Sequence, residues 1–415
     1  MNALYIALAV PFFVVLIGAE MLVNRRQGDL RYTFHDTITS MSCGSGQQVI
    51  GLLMAAVGFG GYAFVYEHFR VATLSPSAPF AWLVLLFGVD LGYYVYHWAS
   101  HRISFFWATH IVHHQSEEYN LSTALRQSWF TGFTSWIFYL PLAVVGFPPL
   151  MFLAMTTLNT LYQFWIHTRA VGKLGWLESV LNTPSHHRVH HGINPRYIDK
   201  NYAGIFILWD RMFGTFTAEV DEPVYGTVKP LRSFNPLWAN VEHLAELLHR
   251  SRRTRRLRDK LLVWVMPPEW MPADLGGPVT VPEVSREAQR KYAVVVPRGL
   301  NLYGALGFAG MVAATTLLLW GAARMSFAEL SWGAGVVLLG TATWGGLVEA
   351  KSWAVPLEWA RLAAAAGLVV WLAQGTSTFA VASAGAVAVA LGLSLWVGRY
   401  LRRRVSEAPA LVSAS

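Results

Sequence analysis

PFAWLVLLFGVDLGYYVYHWASHRISFFWATHIVHH, residues 79–114, joins a membrane-length apolar run to a set of closely spaced histidines. Its first part, 79–97, is apolar and aromatic, with Asp90 as its one charged residue. That length is close to the roughly 20 residues that carry a helix across a bilayer. The run then delivers histidines at 97, 101, 110, 113 and 114. Residues three or four apart lie on one helical face with Cβ atoms about 5–6 Å apart. The end of a membrane span is therefore expected to aim several imidazoles at a common point.

Working outward, further apolar runs cover about 3–23, 47–67, 130–147, 149–167, 301–321, 331–349, 357–374 and 379–398. With 79–97 they predict an all-α polytopic membrane protein of about nine transmembrane helices. Pro148 and Pro149 predict a tight hairpin between the fourth and fifth spans, and 331–349, rich in Gly and Thr, is the weakest run. Composition agrees, with 54% apolar and 13% charged residues, against about 25% charged in soluble domains. The net charge of +8 sits in clusters beside the spans: Arg25, Arg26 and Arg31; residues 250–260; and Arg399 with Arg402–Arg404. Such clusters set topology at anionic headgroups and do not call for a nucleic-acid partner. Placing them in the cytoplasm puts the N-terminus outside, the C-terminus inside, and every histidine cluster on the cytoplasmic side. The first run lacks a basic n-region and reads as a retained helix, not a signal peptide. Cys43, the single cysteine, excludes an intrachain disulfide and any multi-thiolate site. The organisation expected is N-terminal helices (1–78), a catalytic domain (79–220), a cytoplasmic cap (221–297), a C-terminal bundle (298–404) and a tail (405–415). The cap should carry an amphipathic basic helix near 238–265, lying on the membrane surface or bridging as a solvated helix.

Nine of the fourteen histidines form the candidate metal set: His97, His101, His110, His113, His114, His167, His187, His190 and His191. The spacing His-x-x-His-His occurs twice, at 110–114 and 187–191. Neutral imidazole suits Fe, Zn, Cu and Ni, and nine ligands are too many for one ion and about right for two. His186 is borderline, because neighbours on a helix point about 100° apart. His35, His68, His243 and His249 lie outside the pattern and are expected to be ordinary surface or interfacial residues. Carboxylates are too few for a Glu-rich di-iron site. Asp90, Glu117, Glu118 and Asp199 are instead candidates to take the imidazoles' other N–H, with solvated loop charges as the alternative for Glu117 and Glu118, and Asp90 stands two turns below His97 on one face.

HWASH (97–101), HIVHH (110–114) and HRVHH (187–191), set among spanning helices, resemble the fatty acid hydroxylase and sterol desaturase superfamily of membrane di-iron oxygenases. SEEYNLSTALRQSW (116–129), QFWIHT (163–168), LNTPSHHRVHHGINPRYIDKNYAG (181–204) and WDRMFGTF (209–216) look like its alkylglycerol monooxygenase branch, as do YGTVKPLRSFNPLW (225–238) and PPEWMPADLG (267–276). The resemblance implies hydroxylation beside the ether oxygen of glyceryl ethers, with O2, two non-haem irons and, in animals, a reduced pterin. Its ligands fall on the same nine histidines. Two departures stand out. Arg102 replaces the Glu that follows the first box in the animal enzymes, and Gln163 replaces a histidine found in other superfamily members.

The expected function is an O2-dependent lipid hydroxylase whose substrate enters sideways from the bilayer while a reductant arrives from the cytoplasm. Zinc as purified is compatible with the same site. Tyr93, Tyr94, Tyr96, Trp98, Phe105, Phe106, Trp107, Trp129 and Trp165 either line that lipid path or anchor the chain at the interface. The alternatives are a sterol or fatty-acyl desaturase with the same centre and, from another class, a zinc-dependent membrane hydrolase. The expected location is a bacterial inner membrane or the endoplasmic reticulum.

Overall fold

The computed structural model describes residues 2–29 and 31–406; residues 407–415 of the expected tail and the side chains of Arg402–Arg404 lie outside the described residues. Among these the regular structure is helical, apart from two isolated bridges, Leu181 with Phe206 and Gly192 with Tyr225. In chain order the helices are α1 (Asn2–Arg26), α2 (Phe34–Phe69), α3 (Pro79–Arg102), α4 (Ser104–Ala108), α5 (Ile111–His114), α6 (Leu121–Ala124), α7 (Thr131–Thr134), α8 (Leu140–Val145) and α9 (Pro149–Trp165). They continue with α10 (Pro184–His190), α11 (Leu208–Phe213), α12 (Pro236–Arg253), α13 (Leu257–Val265), α14 (Arg298–Gly321), α15 (Phe327–Val348), α16 (Ala354–Ala373) and α17 (Phe379–Ser406).

Seven of them, α1, α2, α3 and α14 to α17, are long and apolar enough to cross a membrane. The two other expected spans differ. The run 130–147 is broken into α7, a 3-10 turn at Trp136–Tyr139, and α8. Pro141 explains the second break, since inside a continuous helix its ring would meet the carbonyl four residues back. The run 149–167 forms α9, 17 residues long, or about 26 Å at 1.5 Å per residue. The hairpin at Pro148–Pro149 does form. Its tip reaches the α2–α3 connection, where Val71 N donates to Val144 O at 2.8 Å and Leu74 N to Gly146 O at 3.0 Å. Gly146 has φ +112°, and a Cβ there would stand 2.0 Å from Ala72 O.

The second span begins earlier than expected because α2 has 36 residues, about 54 Å against a hydrocarbon core of about 30 Å. Its polar first turns face protein. Ser116 Oγ donates to Asp36 at 2.7 Å and Thr39 Oγ1 to Phe234 O at 3.1 Å. This extension is the post around which the histidine segments gather. The Gly and Thr that weakened the 331–349 signal belong to the most enclosed span: 61% of its apolar window is buried, against 6% for α17. A Cβ on Gly345 would stand 2.3 Å from Asn235 Cα, so small residues there let the cap meet the bundle.

The expected basic cap helix is two helices, α12 and α13, broken at Thr254, whose Oγ1 donates to Asp274 at 3.0 Å. It does not lie free on a surface: α12 buries Ala239, Asn240, His243 and Leu247. Asn240 Oδ1 accepts from Trp129 N at 2.7 Å, tying α12 to the segment after α6.

Candidate metal centre

Four local structures present the nine histidines. The last turn of α3 carries His97 and His101, and α5 with its N-cap carries His110, His113 and His114. His167 follows α9, and α10 with its C-cap carries His187, His190 and His191. All nine are buried. They fall into two groups, His97, His101, His110, His114 and His190 in one and His113, His167, His187 and His191 in the other, with the ring nitrogens of each within 4.8 Å of one another.

The grouping cuts across the sequence clusters. In each His-x-x-His-His box the first and third histidines, four apart, stay together, and the middle one crosses to the other group. The reason is the 100° turn between adjacent helical residues. His113 is thus turned away from His110 and His114, and His190 away from His187 and His191. The two boxes trade one imidazole each.

Backbone carbonyls fix the rings. Nδ1 lies 2.7 Å from Tyr202 O for His97, 3.0 Å from Arg126 O for His113, 2.7 Å from Gln163 O for His167 and 3.0 Å from Lys200 O for His190. A carbonyl only accepts, so Nδ1 carries the proton and Nε2 of a neutral ring is bare. Yet Nε2 of His167 faces Nε2 of His113 at 3.0 Å. Two lone pairs pointing at each other do not make a hydrogen bond; a cation bound by both resolves the conflict. Nε2 of His101 and of His190 are buried with no hydrogen-bond partner. Burial first, then neighbouring imidazoles, holds His110, His114, His187, His190 and His191 well below the usual histidine range. Burial pushes His113 down to about 4. Neutral rings are the form that ligates a metal, so the donor set fits one.

Of the carboxylates named from sequence, Asp199 stands beside an imidazole, and Asp90, Glu117 and Glu118 bond elsewhere. Asp90 takes no imidazole N–H. It accepts from Ile205 N, Phe206 N, Trp209 Nε1 and Asn159 Nδ2 at 2.7–2.9 Å, and so anchors the segment that follows Tyr202. Glu117 accepts from Tyr292 N at 2.6 Å and Glu118 pairs with Lys291 at 2.6 Å, both fastening the end of the cap. Asp199 pairs with Arg102 and stands 3.8 Å from His101 Nδ1. Burial pushes the Asp199 carboxyl up, against the opposing pull of Arg102.

Sequence reasoning missed Asp210, which accepts from Tyr202 N and Ala203 N at 2.8 Å each and shapes the loop whose carbonyls hold His97 and His190. Asp199 and Asn201 in that loop have φ of 59° and 57°, a region Asn and Asp tolerate best among residues with a Cβ. Gln163 joins neither group, because its amide donates to Asn159 at 2.6 Å. His186 joins neither and packs edge-on against Phe216, centroids 5.4 Å apart. Of the four outlying histidines, His68 and His249 are exposed and His35 is half-buried. His243 is not a surface residue: it is 7% exposed, with a buried, unpartnered Nε2.

Two cavities reach the cluster. One of about 390 Å³ touches His110, His113 and His167 and runs between α1, α2, α9 and α14, past Phe13, Tyr93, Tyr96, Thr156, Phe164 and Val312. The other, of about 240 Å³, touches His101, His114, His190 and His191 and lies under the cap, with Trp107, Asp199, Lys229, Glu242, His243 and Glu246 in its wall.

With that geometry in view, comparison with known proteins is specific. The fatty acid hydroxylase family model matches residues 82–215, which contain all nine histidines. The chain is 35% identical to alkylglycerol monooxygenase of Xenopus tropicalis over 86% of its length and 80% of that protein's. It is 40% identical to the Homo sapiens enzyme of that name, over 74% of this chain and 70% of the other. The chain belongs to the alkylglycerol monooxygenase family. A more distant relative is ornithine lipid hydroxylase OlsE of Rhizobium tropici, 25% identical over 52% of this chain and 66% of that one. No solved structure matches. Membership in this family, seven membrane-length helices and a buried histidine cluster together make the chain an integral membrane lipid monooxygenase with a site fit for metal.

Proposed function

We propose that this family member uses O2 and two irons to hydroxylate the carbon beside the ether oxygen of an alkylglycerol-type lipid. The observation that carries this reading is the pair of cavities that meet one histidine cluster through different histidines, one free of charged side chains and set among membrane-length helices, the other walled in part by Asp199, Lys229, Glu242, Glu246 and Arg250 beneath α12. His97, His101, His110, His114 and His190 would hold one ion, and His113, His167, His187 and His191 the other. Bound iron would supply O2 activation toward a C–H bond that acid–base side chains cannot attack.

The chain's own residues do the rest. The carbonyls of Arg126, Gln163, Lys200 and Tyr202 keep four rings in the tautomer that offers Nε2. Phe13, Phe164 and Val312 receive the alkyl chain, and the amides of Gln127 and Gln163 receive its polar end near His113 and His167. Under the cap, the carboxylates of Asp199, Glu242 and Glu246 suit a reductant rich in N–H donors, which a reduced pterin is. The reaction consumes O2, two electrons and two protons; one oxygen enters the carbon and one leaves as water. The resulting hemiacetal opens to an aldehyde and a free glycerol hydroxyl.

The two groups would offer five and four imidazoles to their ions, more than the three protein ligands of a catalytic zinc site, which favours the oxygenase over a zinc hydrolase. The basic stretch 250–260 lies on the cluster's side of the chain, and the positive-inside tendency favours the cytoplasm for that side. Both limbs of the α7–α9 hairpin leave and return on that side, so a count of seven or nine crossings gives the same orientation.

The test uses membranes from cells expressing the chain, supplied with a long-chain alkylglycerol and a reduced pterin. Stoichiometric O2 uptake and fatty aldehyde, with two irons per chain, are expected. Lipid hydrolysis without O2 uptake would overturn the proposal.

A further inference from the structure

We propose that the C-terminal bundle is a second lipid site, separate from the cavity that reaches the histidines, and that it holds one glycerolipid by an oxygen of its head and one acyl or alkyl chain.

A cavity of about 430 Å³ lies among α14, α15, α16 and α17, with Ile38 and Ser42 of α2 behind it. That volume is ordinary for a small-molecule site. Its chemistry is graded. At one end Tyr303, Thr343, Glu358 and Arg361 form a closed polar knot: Tyr303 Oη donates to Glu358, Thr343 Oγ1 donates to it at 2.7 Å, and Arg361 donates through Nε at 2.8 Å and Nη2 at 2.6 Å. Glu358 is 2% exposed. An ionised group inside a membrane bundle is costly and usually serves a purpose. Glu358 takes two of the five N–H donors of the guanidinium, which lines the cavity with others to offer. Since Glu358 balances its charge, the cavity suits an acceptor oxygen more than a bare anion.

Away from the knot the walls are apolar and include small residues, Gly307, Gly310 and Ala314 from α14 and Ala382, Gly385 and Ala386 from α17. In a bilayer such small-residue stripes let helices close on each other. Here they line open space instead.

Depth matches a lipid. The N-terminal ends of α14 and α16 meet the histidine side of the protein, where Asn301 bonds His35 and Glu349 accepts from Phe234 N. Glu358 is four residues into α16, or about 6 Å, and Ala314 sixteen into α14, or about 24 Å. The knot therefore sits at glycerol depth and the apolar slot reaches past mid-bilayer. Leu306 and Val389 at its edge are exposed, 52% and 62%, which leaves a lateral entrance. α14 also lines the histidine cavity through Val312, Thr315 and Leu319, so one helix separates the two sites.

The test reconstitutes the full chain in vesicles of phosphatidylethanolamine and phosphatidylglycerol doped with a phosphatidylcholine bearing a diazirine midway along one chain. After irradiation, adducts are expected on 304–314 and 382–390. Ala386→Phe should cut both at least fivefold and leave adducts at the bilayer-facing Phe80 and Leu83 unchanged, which controls for folding. The paired change Glu358→Met with Arg361→Met removes the head's partner without stranding a charge, and should lower the same adducts about threefold. The proposal is overturned if adducts in the two stretches do not exceed those at Phe80 and Leu83, or if Ala386→Phe leaves them unchanged.

Discussion

The two cavities that meet at the histidines are built from different parts of the chain and obey different chemistry. The membrane-side cavity draws its walls from α1, α2, α9 and α14 and reaches His110, His113 and His167. The cap-side cavity draws its walls from the loops after α10 and from α12, and reaches His101, His114, His190 and His191. Lys229, Glu242, Glu246 and Arg250 charge the second; the first carries amides and hydroxyls but no Asp, Glu, Lys or Arg. On the proposed function, lipid and reductant would each have a cavity of its own, one without charged side chains and one with them. Each cavity touches members of both histidine groups.

The largest effect tests that trade. His113→Ala and His190→Ala each remove the histidine its box lends to the other group. Both variants are expected to lose activity by more than about 100-fold, beyond the 10–100-fold typical of residues that merely support ligands. Each should also lose bound metal by elemental analysis. If only one of the two variants loses metal, the groups do not interlock as drawn.

The next effect is confined to the membrane side. Thr156 lies on α9 nine residues before its last residue, Trp165, or about 14 Å along the helix from the turn that carries His167. Thr156→Trp should lower turnover of long-chain alkylglycerols about tenfold, the order of one overpacked side chain. Turnover of a short-chain analogue should hardly change. Equal losses on both substrates would mean that the chain runs elsewhere.

How much of this was legible in the sequence follows from where each signal resides. The nine histidines were legible because helical spacing is local, and the spans because hydropathy is additive along a run. The start of α2 was not, since Asp36 and Thr39 look like solvent residues until the segments 116–126 and 234 fold against them. The partners of the imidazoles were illegible for a deeper reason. Carboxylates can be sought by letter, but the groups that hold His97, His113, His167 and His190 are main-chain carbonyls, which every residue owns. The role of His243 likewise depends on α12 closing over the site, which no local pattern announces.

His243 gives the third prediction, on the cap side. The residue lines the cap-side cavity, its Nε2 is buried without a partner, and it belongs to neither metal group. His243→Ala should raise the KM for the reductant about 2–10-fold, the worth of one hydrogen bond. The KM for lipid and the metal content should stay as in the parent. A loss of metal instead would place His243 nearer the centre than the cavity suggests.

The smallest effect separates two adjacent histidines. α10 is a regular helix through Pro184–His190, so His186 and His187 diverge by about 100°. Nε2 of His187 lies 2.9 Å from that of His167, inside the second group. His186 turns instead to the ring of Phe216 and leaves its Nδ1 buried and unpartnered. Burial pushes His186 down to about 4, so near neutral pH it is an uncharged packing residue. Removing it forfeits an aromatic contact worth about 0.5–1.5 kcal/mol. The same change also removes an unsatisfied polar atom, a liability of about 1–3 kcal/mol. These oppose each other, so His186→Ala should shift stability by little in a denaturation series and keep its metal and most of its activity. His187→Ala should keep neither. Matching metal loss in both would show that α10 departs from a regular helix in the metal-loaded protein, because only then could neighbours face one ion.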